Sequence, residues 1–430
     1  MDSFNRELSI YLLGSSEKSI AQKASKLINK CESAEFDITF PSASKLDIWT
    51  KCTNKSKNEI SYEGPLRIEE DLHGLVLSEH LSWPVSSIMC KNDKVFLKFD
   101  RNFVMNSLIV QIITQGIIAK NRAISTSVCL VNTELERNTG KCSERQLGQL
   151  RTNQIVRSLE RLLTFCNHKI EPIDKANHVL RIGCSDACHL RKHDDDIPLK
   201  VGQVKIKSNK NSKENYNLTE FYKSMCDKML AIANERNFKS SEQDILKQTQ
   251  IIAAAEIQML LLSRNVDRSI ILTNFEDNEN AAKDASFVLY NYARISQLLE
   301  SFDGQSERYG NIMPINQVDF TFLKEPEEWD ILLNCIVPYL DTLATLSDIN
   351  LTESRSHETL NRCLSQLCSH LLKLSNTYSK YYRRVKLLKE GIHGVLAVQT
   401  LNSRLYLIHV IKSVYDHAFK ILGIKPIKYM

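Results

Sequence analysis

Apolar and polar positions follow three successive patterns along the chain. Up to about residue 120 the pattern is mixed. Phe4, Leu8, Tyr11 and Leu12 share one side of an opening helix, and the polar stretch 51–65 reads as a loop. Lys94–Phe99 alternates Val95, Leu97 and Phe99 with period two, which predicts a strand. A helix follows from about Phe103 to Thr114.

From 121 to 285 the order becomes strand, helix, strand. Ser125–Asn132 is β-branched and apolar, and Ala176–Cys184 resembles it. Between them, Glu144–Leu163 reads as a short turn around Gly148 followed by an amphipathic helix. Its apolar residues are Leu150, Ile155, Leu159, Leu162 and Leu163. This βαβ order predicts a parallel sheet. The Lys- and Asn-rich stretch Lys205–Asn217 reads as a flexible loop, and Leu218–Leu262 as helical.

From 286 to 430 the period is helical throughout. Val288, Tyr292, Ile295, Leu299 and Phe302 form one stripe, with Tyr290 and Arg294 on the neighbouring face. A later stripe runs Leu367, Leu371, Leu374, Tyr378, Tyr381. The last helix lines up Leu401, Leu405, Ile408, Ile411, Tyr415, Ala418 and Leu422, with Gly423 placed to end it and Pro426 beyond. The expected architecture is therefore multi-domain α+β/α. An N-terminal mixed domain (1–120) and an α/β core with connecting helices (121–285) precede a helix bundle (286–430).

Composition adds little to this until charge is resolved along the chain. With 430 residues, 43% hydrophobic and 25% charged, the protein is built like an ordinary globular one of roughly three domains. No apolar run reaches the ~18 residues of a membrane span; the nearest candidate, Asn106–Ala119, is cut by Gln111 and Gln115. The N-terminus carries Asp2 and Glu7 and no apolar targeting segment, so a cytoplasmic protein with no membrane partner is expected. Net charge is +5, but 286–354 holds 3 Lys/Arg against 11 Asp/Glu, and 355–430 holds 13 against 3. So basic a C-terminal stretch suits a polyanion, although a solvated helix face has the same composition.

The 12 cysteines show no framework spacing and read as reduced thiols. Cys184, Cys188, His189 and His193 are four soft ligands within ten residues. A zinc site would use such groups. The spacing is not a usual one, because all four ligands crowd into one segment, and a cysteine- and histidine-containing polar loop is the expected reading.

Ser286–Glu300, with its Tyr290-x-x-x-Arg294, and Ser403–Met430, with Leu-Gly-Ile before a proline and a final Met, resemble the DALR anticodon-binding domain of arginyl-tRNA synthetases. Upstream, Ile251–Thr273 is similar to the segment joining the catalytic and anticodon domains of those enzymes. Gly202–Met225 is similar to their second ATP motif, and Ser127–Ile170 to the strand–loop–helix of the first. There the synthetases have His-x-Gly-His; this chain has Gln146, Leu147, Gly148 and Gln149, then Leu150 and Arg151. The paired histidines donate to ATP phosphates at a helix N-terminus. Glutamine donates a hydrogen bond but carries no charge.

A degenerate class I synthetase-like Rossmann core before an intact helical bundle resembles the family of DALR anticodon-binding-domain-containing proteins. The resemblance implies no catalytic residue, no cofactor and no metal. It implies a tRNA-binding adaptor for arginine isoacceptors, working with a tRNA cytidine methyltransferase that forms 3-methylcytidine in the anticodon loop. A divergent synthetase that still charges tRNA, or a protein-only scaffold, are the alternatives.

Anticodon loops offer unstacked bases and phosphates, which call for aromatic rings and cations together. Thr377–Lys389 interleaves Tyr378, Tyr381 and Tyr382 with Lys380, Arg383, Arg384, Lys386 and Lys389. The stripe places at least one of these tyrosines in the core. The expected RNA-facing set is Tyr378, Lys380, Tyr382, Arg383, Arg384 and Lys386, joined through the resemblance by Tyr290, Arg294 and Met430.

Overall fold

The computed structural model describes residue 8 and residues 29–30, 37–41, 81–91, 94–118, 126–133, 143–184, 196–206, 218–235, 242–272, 279–304, 311–347, 349–351, 354–387 and 395–428. The chain divides into two compact units that cut across the three sequence blocks. The first comprises Met1–Thr114, Met313–Asp341 and Val395–Ser403; the second comprises Gln115–Ile312, Thr342–Gly394 and Arg404–Met430.

The first unit carries an antiparallel sheet in the order β1-β2-β4-β3. Its strands are β1 (Asn29–Lys30), β2 (Ile38–Pro41), β3 (Val85–Lys91) and β4 (Lys94–Phe99). β4 is the strand predicted by alternation, and Val95, Leu97 and Phe99 are all buried. Helix α1 (Arg101–Gln115) follows and buries Val104, Leu108, Ile109 and Ile112. Of the predicted opening helix only Leu8 is described; it is helical and fully buried.

A polar hub explains why 313–341 joins this unit. The Asp37 carboxylate accepts from the Phe99 N–H at 2.8 Å, from Arg101 Nη2 at 2.8 Å and from Trp329 Nε1 at 2.8 Å. Arg101 also lies over the Trp329 ring, 5.1 Å from its centroid. A carboxylate this buried needs all of these donors, because an unsatisfied charge in the interior is costly.

The second unit is built on a parallel sheet in the order β6-β5-β7-β8, as the strand–helix–strand order predicts. The strands are β5 (Ser127–Asn132), β6 (Lys169–Ile170), β7 (His178–Gly183) and β8 (Asp196–Lys200). Arg181 on β7 reaches Asp196 on β8 at 2.6 Å, a fully buried ion pair. Helix α2 (Ser143–Phe165) packs on β5 and β7. A short parallel pair, β9 (Val204–Ile206) with β10 (Ile270–Leu272), lies beside it.

Helices α3 (Leu218–Glu235) and α4 (Glu242–Leu262) complete this core. Leu147, Val204, Met225, Ala253, Ile257, Leu261, Ile270 and Leu272 close into one apolar cluster. Among the described residues α4 is the one helix long and apolar enough to cross a membrane. Its apolarity is accounted for by packing against α2, α3 and the helices described next.

Helix α5 (Glu279–Asp303) buries every member of its predicted stripe. Helix α6 (Pro326–Asp330) continues through a π-helical turn, Ile331–Ile336, into α7 (Val337–Ser347). Pro338 lacks the N–H that an α-helix needs there, and a locally widened turn accommodates the loss. Helices α8 (Ser354–Arg384) and α9 (Val395–Leu422) follow. Gly423 ends α9 with φ +74°, and the Ile424 N–H returns to the Phe419 carbonyl at 2.9 Å. That is the left-handed helix cap predicted for this glycine.

Candidate nucleic-acid interface

Tyr290 and Arg294 lie one turn apart on α5, and Tyr382 lies near the end of α8. The structure brings them together. The Arg294 guanidinium sits 4.3 Å from the Tyr290 ring centroid and 4.4 Å from that of Tyr382. Its Nη2 also donates to the Tyr290 hydroxyl. All three side chains are half-buried, so the stack keeps an accessible side. Arg294 has no carboxylate partner among the described residues, and Glu300 pairs instead with Lys428 at 3.6 Å.

Polar contacts, one of them fully buried, tie the helices that hold this stack. The Tyr292 hydroxyl donates to Asp416 Oδ1 at 2.7 Å. Lys412 holds the other oxygen of that carboxylate at 2.7 Å and lies over the Tyr292 ring. Burial, then the hydrogen bond to Asp416, raises the Tyr292 hydroxyl above its usual range. Tyr415 and Ser375 share a buried hydrogen bond of 2.6 Å between α9 and α8. These ties set α5, α8 and α9 in one register.

The predicted RNA-facing set divides in two. Lys380, Arg383, Arg384 and Lys386 are exposed around the C-terminal end of α8. Arg383 and Arg384 also suit that position for a local reason, since cations stabilise the negative end of a helix. Tyr378 is a correction. Its side chain is fully buried, as is that of Tyr381, so it offers no face to a base. Both continue the apolar stripe of α8, and burial holds the Tyr378 hydroxyl well above its usual range. Tyr378 acts from beneath, with its ring 5.9 Å from that of Tyr382. Met430 lies outside the described residues.

The degenerate ATP motif also differs from expectation. The Gly148 position is not a turn: α2 already begins at Ser143, and Gly148 is helical and buried. A Cβ on Gly148 would meet only the Cys184 Sγ, at an ordinary 3.8 Å, so packing does not demand glycine there. Gln146 is the fourth residue of the helix and Gln149, half-buried, the seventh. The helix dipole acts on anions over the first turn only, which Gln149 lies beyond. Of the four soft ligands Cys184 is described, beside Thr152 Oγ1 at 3.8 Å; Cys188, His189 and His193 lie outside the described residues.

Arg151, the last residue of the degenerate motif's neighbourhood, has a structural task that its sequence position did not reveal. It is fully buried, and its guanidinium donates to four main-chain carbonyls. Nε reaches Leu261 at 3.1 Å, Nη1 reaches Gly202 at 2.6 Å and Arg268 at 2.7 Å, and Nη2 reaches Asn265 at 3.0 Å. Burial lowers its pKa to about 10, which leaves it charged at neutral pH. Gly202 permits this close approach, since a Cβ there would lie 2.2 Å from the Arg268 carbonyl carbon.

Comparison with known proteins bears on the fold. The fold is shared along nearly the whole chain with arginyl-tRNA synthetase from Plasmodium falciparum, at TM-score 0.63 and 12% identity, covering 99% of this chain and 98% of that one. Arginyl-tRNA synthetase from Thermus thermophilus superposes at TM-score 0.58 and 9% identity, covering 96% and 99%. At such identities the likeness is one of fold: a Rossmann-like parallel-sheet core followed by a helical C-terminal region.

More specifically, residues 288–430 match the family model of the DALR anticodon binding domain. DALR anticodon-binding domain-containing protein 3 of Mus musculus is 26% identical over 182 residues, 42% of this chain and 33% of that protein. Its counterpart from Danio rerio is 27% identical over 183 residues, 41% and 32%. Arginine–tRNA ligase of Blochmanniella floridana is 24% identical over 200 residues, 45% and 29%. The match spans about a third of the length of these curated relatives. The chain thus shares the fold of arginyl-tRNA synthetases, and its last third matches the DALR anticodon binding domain.

Proposed function

We propose that this protein is a non-catalytic, cytoplasmic tRNA-binding adaptor. It recognises arginine tRNAs through the anticodon arm and presents them to a methyltransferase that forms 3-methylcytidine in the anticodon loop. The observation that carries the RNA reading is the convergence of Tyr290 and Arg294 from α5 with Tyr382 from α8. An unstacked base lies flat against a tyrosine ring or a guanidinium plane. The exposed Lys380, Arg383, Arg384 and Lys386 neutralise the phosphates of the same loop. Arginine identity and the methyltransferase partner rest on the family resemblance.

The non-catalytic reading is supported by Gln146 and Gln149 in place of the two histidines of the synthetase motif. Neither glutamine can supply the positive charge that stabilises a developing phosphate anion. Arg151 is fully buried and spends four of its five N–H donors on main-chain carbonyls, so it is turned away from any nucleotide.

Two measurements test the proposal. Sequencing RNA that co-purifies with the full chain should show enrichment of arginine tRNAs; a flat tRNA profile removes the specificity. Arginine-dependent ATP–pyrophosphate exchange should stay at background, and exchange above it restores the reading as a synthetase.

A further inference from the structure

A cavity of about 760 Å³ opens in the second unit between the end of α4, β10, the start of α5 and the middle of α8. Leu260, Ile270 and Leu372 line it with apolar surface. Its polar residues are Ser263, Arg264, Arg268, Ser269, Asp284 and Ser369. Both arginines are exposed, and neither guanidinium has a hydrogen-bond or carboxylate partner among the described residues. Asp284 is the carboxyl of the lining, set against the two guanidiniums, and burial raises its pKa above the ordinary carboxylate value.

The segment bearing these arginines is held firmly from the inner side. Arg151 takes the carbonyls of Asn265 and Arg268. Asn361 on α8 accepts from the Val266 N–H through its carbonyl at 2.9 Å and from the Asp267 N–H through Oδ1 at 2.8 Å. Ser365 donates to Asn265 Oδ1 at 2.9 Å. With the main chain so occupied, the side chains of Arg264 and Arg268 are left for solvent or a ligand. A fixed turn that presents two guanidiniums suits a phosphate, because the ordering cost is already met.

The place of the cavity relative to the aromatic stack identifies the source of that phosphate. Asp284 and Arg294 are ten residues apart on α5, and Leu372 and Tyr382 ten apart on α8. Each interval is about 15 Å along its helix, so one pair of helices carries the stack and the cavity within reach of a few nucleotides.

We propose that Arg264 and Arg268 form a second RNA contact, taking backbone phosphates of the same tRNA whose anticodon loop meets Tyr290, Arg294 and Tyr382. The inference rests on the RNA-binding reading above. Arg151 is a positioning residue for this contact and touches no RNA.

The test uses the full chain, an arginine tRNA transcript and binding measured across a salt series. The R264A/R268A double variant should fold normally, since both side chains are exposed. Loss of two phosphate contacts should flatten the slope of log K against log salt by roughly 1.4–1.8. Tyr382→Ala should instead weaken binding with the slope kept. Unchanged affinity and slope in the double variant, with wild-type binding intact, overturn this second contact and leave the anticodon reading standing. Unchanged RNA binding with loss of methyltransferase association would assign the cavity to an acidic protein segment, which also overturns it. Wild-type protein that binds no RNA at any salt defeats the proposed function itself.

Discussion

Replacing Arg151 by methionine is the sharpest test of how the second unit holds together. The guanidinium donates four hydrogen bonds to main-chain carbonyls from two separate parts of the chain, Gly202 and the segment 261–268. Charge-assisted bonds contribute about 1.5–3 kcal/mol each, which sets a nominal total of about 6–12 kcal/mol. Opposing this is the cost of a buried cation. Its pKa falls from 12.5 to about 10. At about 1.4 kcal/mol per unit, that depression corresponds to roughly 3 kcal/mol.

Hydrogen bonds sharing one group do not add fully, so the net loss should be about 3–5 kcal/mol, as for other broken buried charges. For a unit of this size the transition should move down by roughly 10 °C. Trp83 and Trp329 belong to the first unit, so tryptophan fluorescence would follow the wrong part. Circular dichroism in urea and hydrogen exchange over 196–206 and 261–272 read the right one. R151K keeps a charge but cannot span four acceptors, and should recover less than half of the loss. R151M within about 1 kcal/mol of wild type, with unchanged exchange in those segments, would refute the reasoning.

Other outcomes follow from the site and the core. Tyr382→Ala should weaken tRNA binding roughly 5–150-fold, the range for removing one stacked base contact, whereas Tyr378→Phe should leave it unchanged; filter binding separates the two. Burial, then the Lys420 charge, holds His417 down to about pKa 4. It is therefore neutral when folded, and the stability it contributes is complete above about pH 6.5 and lost as pH falls toward 4. Urea midpoints of His417→Gln should accordingly show a shallower decline across that window. Burial pushes Cys166 up to about 11 and Cys363 and Cys368 up to about 12. Iodoacetamide at pH 8 should leave these three unlabelled in the native protein and label them after unfolding, as read by peptide mass spectrometry.

Much of the fold was legible because periodicity is a local property. The α5 and α9 stripes, β4, and the glycine cap of α9 depend on residues within one helix or strand, and each stands where the pattern placed it. Tyr290 and Arg294 were legible as a pair for the same reason, being one turn apart. The assignment of Tyr378 to an RNA surface failed because composition alone does not distinguish the wet from the dry side of a basic helix. Its own stripe, Leu371, Leu374, Tyr378, Tyr381, was the better guide, and all four are buried.

By itself the sequence determined the elements, the βαβ order that makes a parallel sheet, the helical C-terminal third and the uncharged side chains of Gln146 and Gln149. These follow from side-chain chemistry and from spacing within a few residues. Tertiary structure alone decided the rest, since each feature joins residues far apart in the chain. Asp37 collects donors from Phe99, Arg101 and Trp329, which draws 313–341 to the first unit. Tyr382 closes on an arginine 88 positions earlier. Arg151 finds its acceptors in Gly202, Leu261, Asn265 and Arg268. A buried charge or polar group must be satisfied by whatever the folded chain brings within hydrogen-bonding distance, and that neighbourhood exists only once the units have closed.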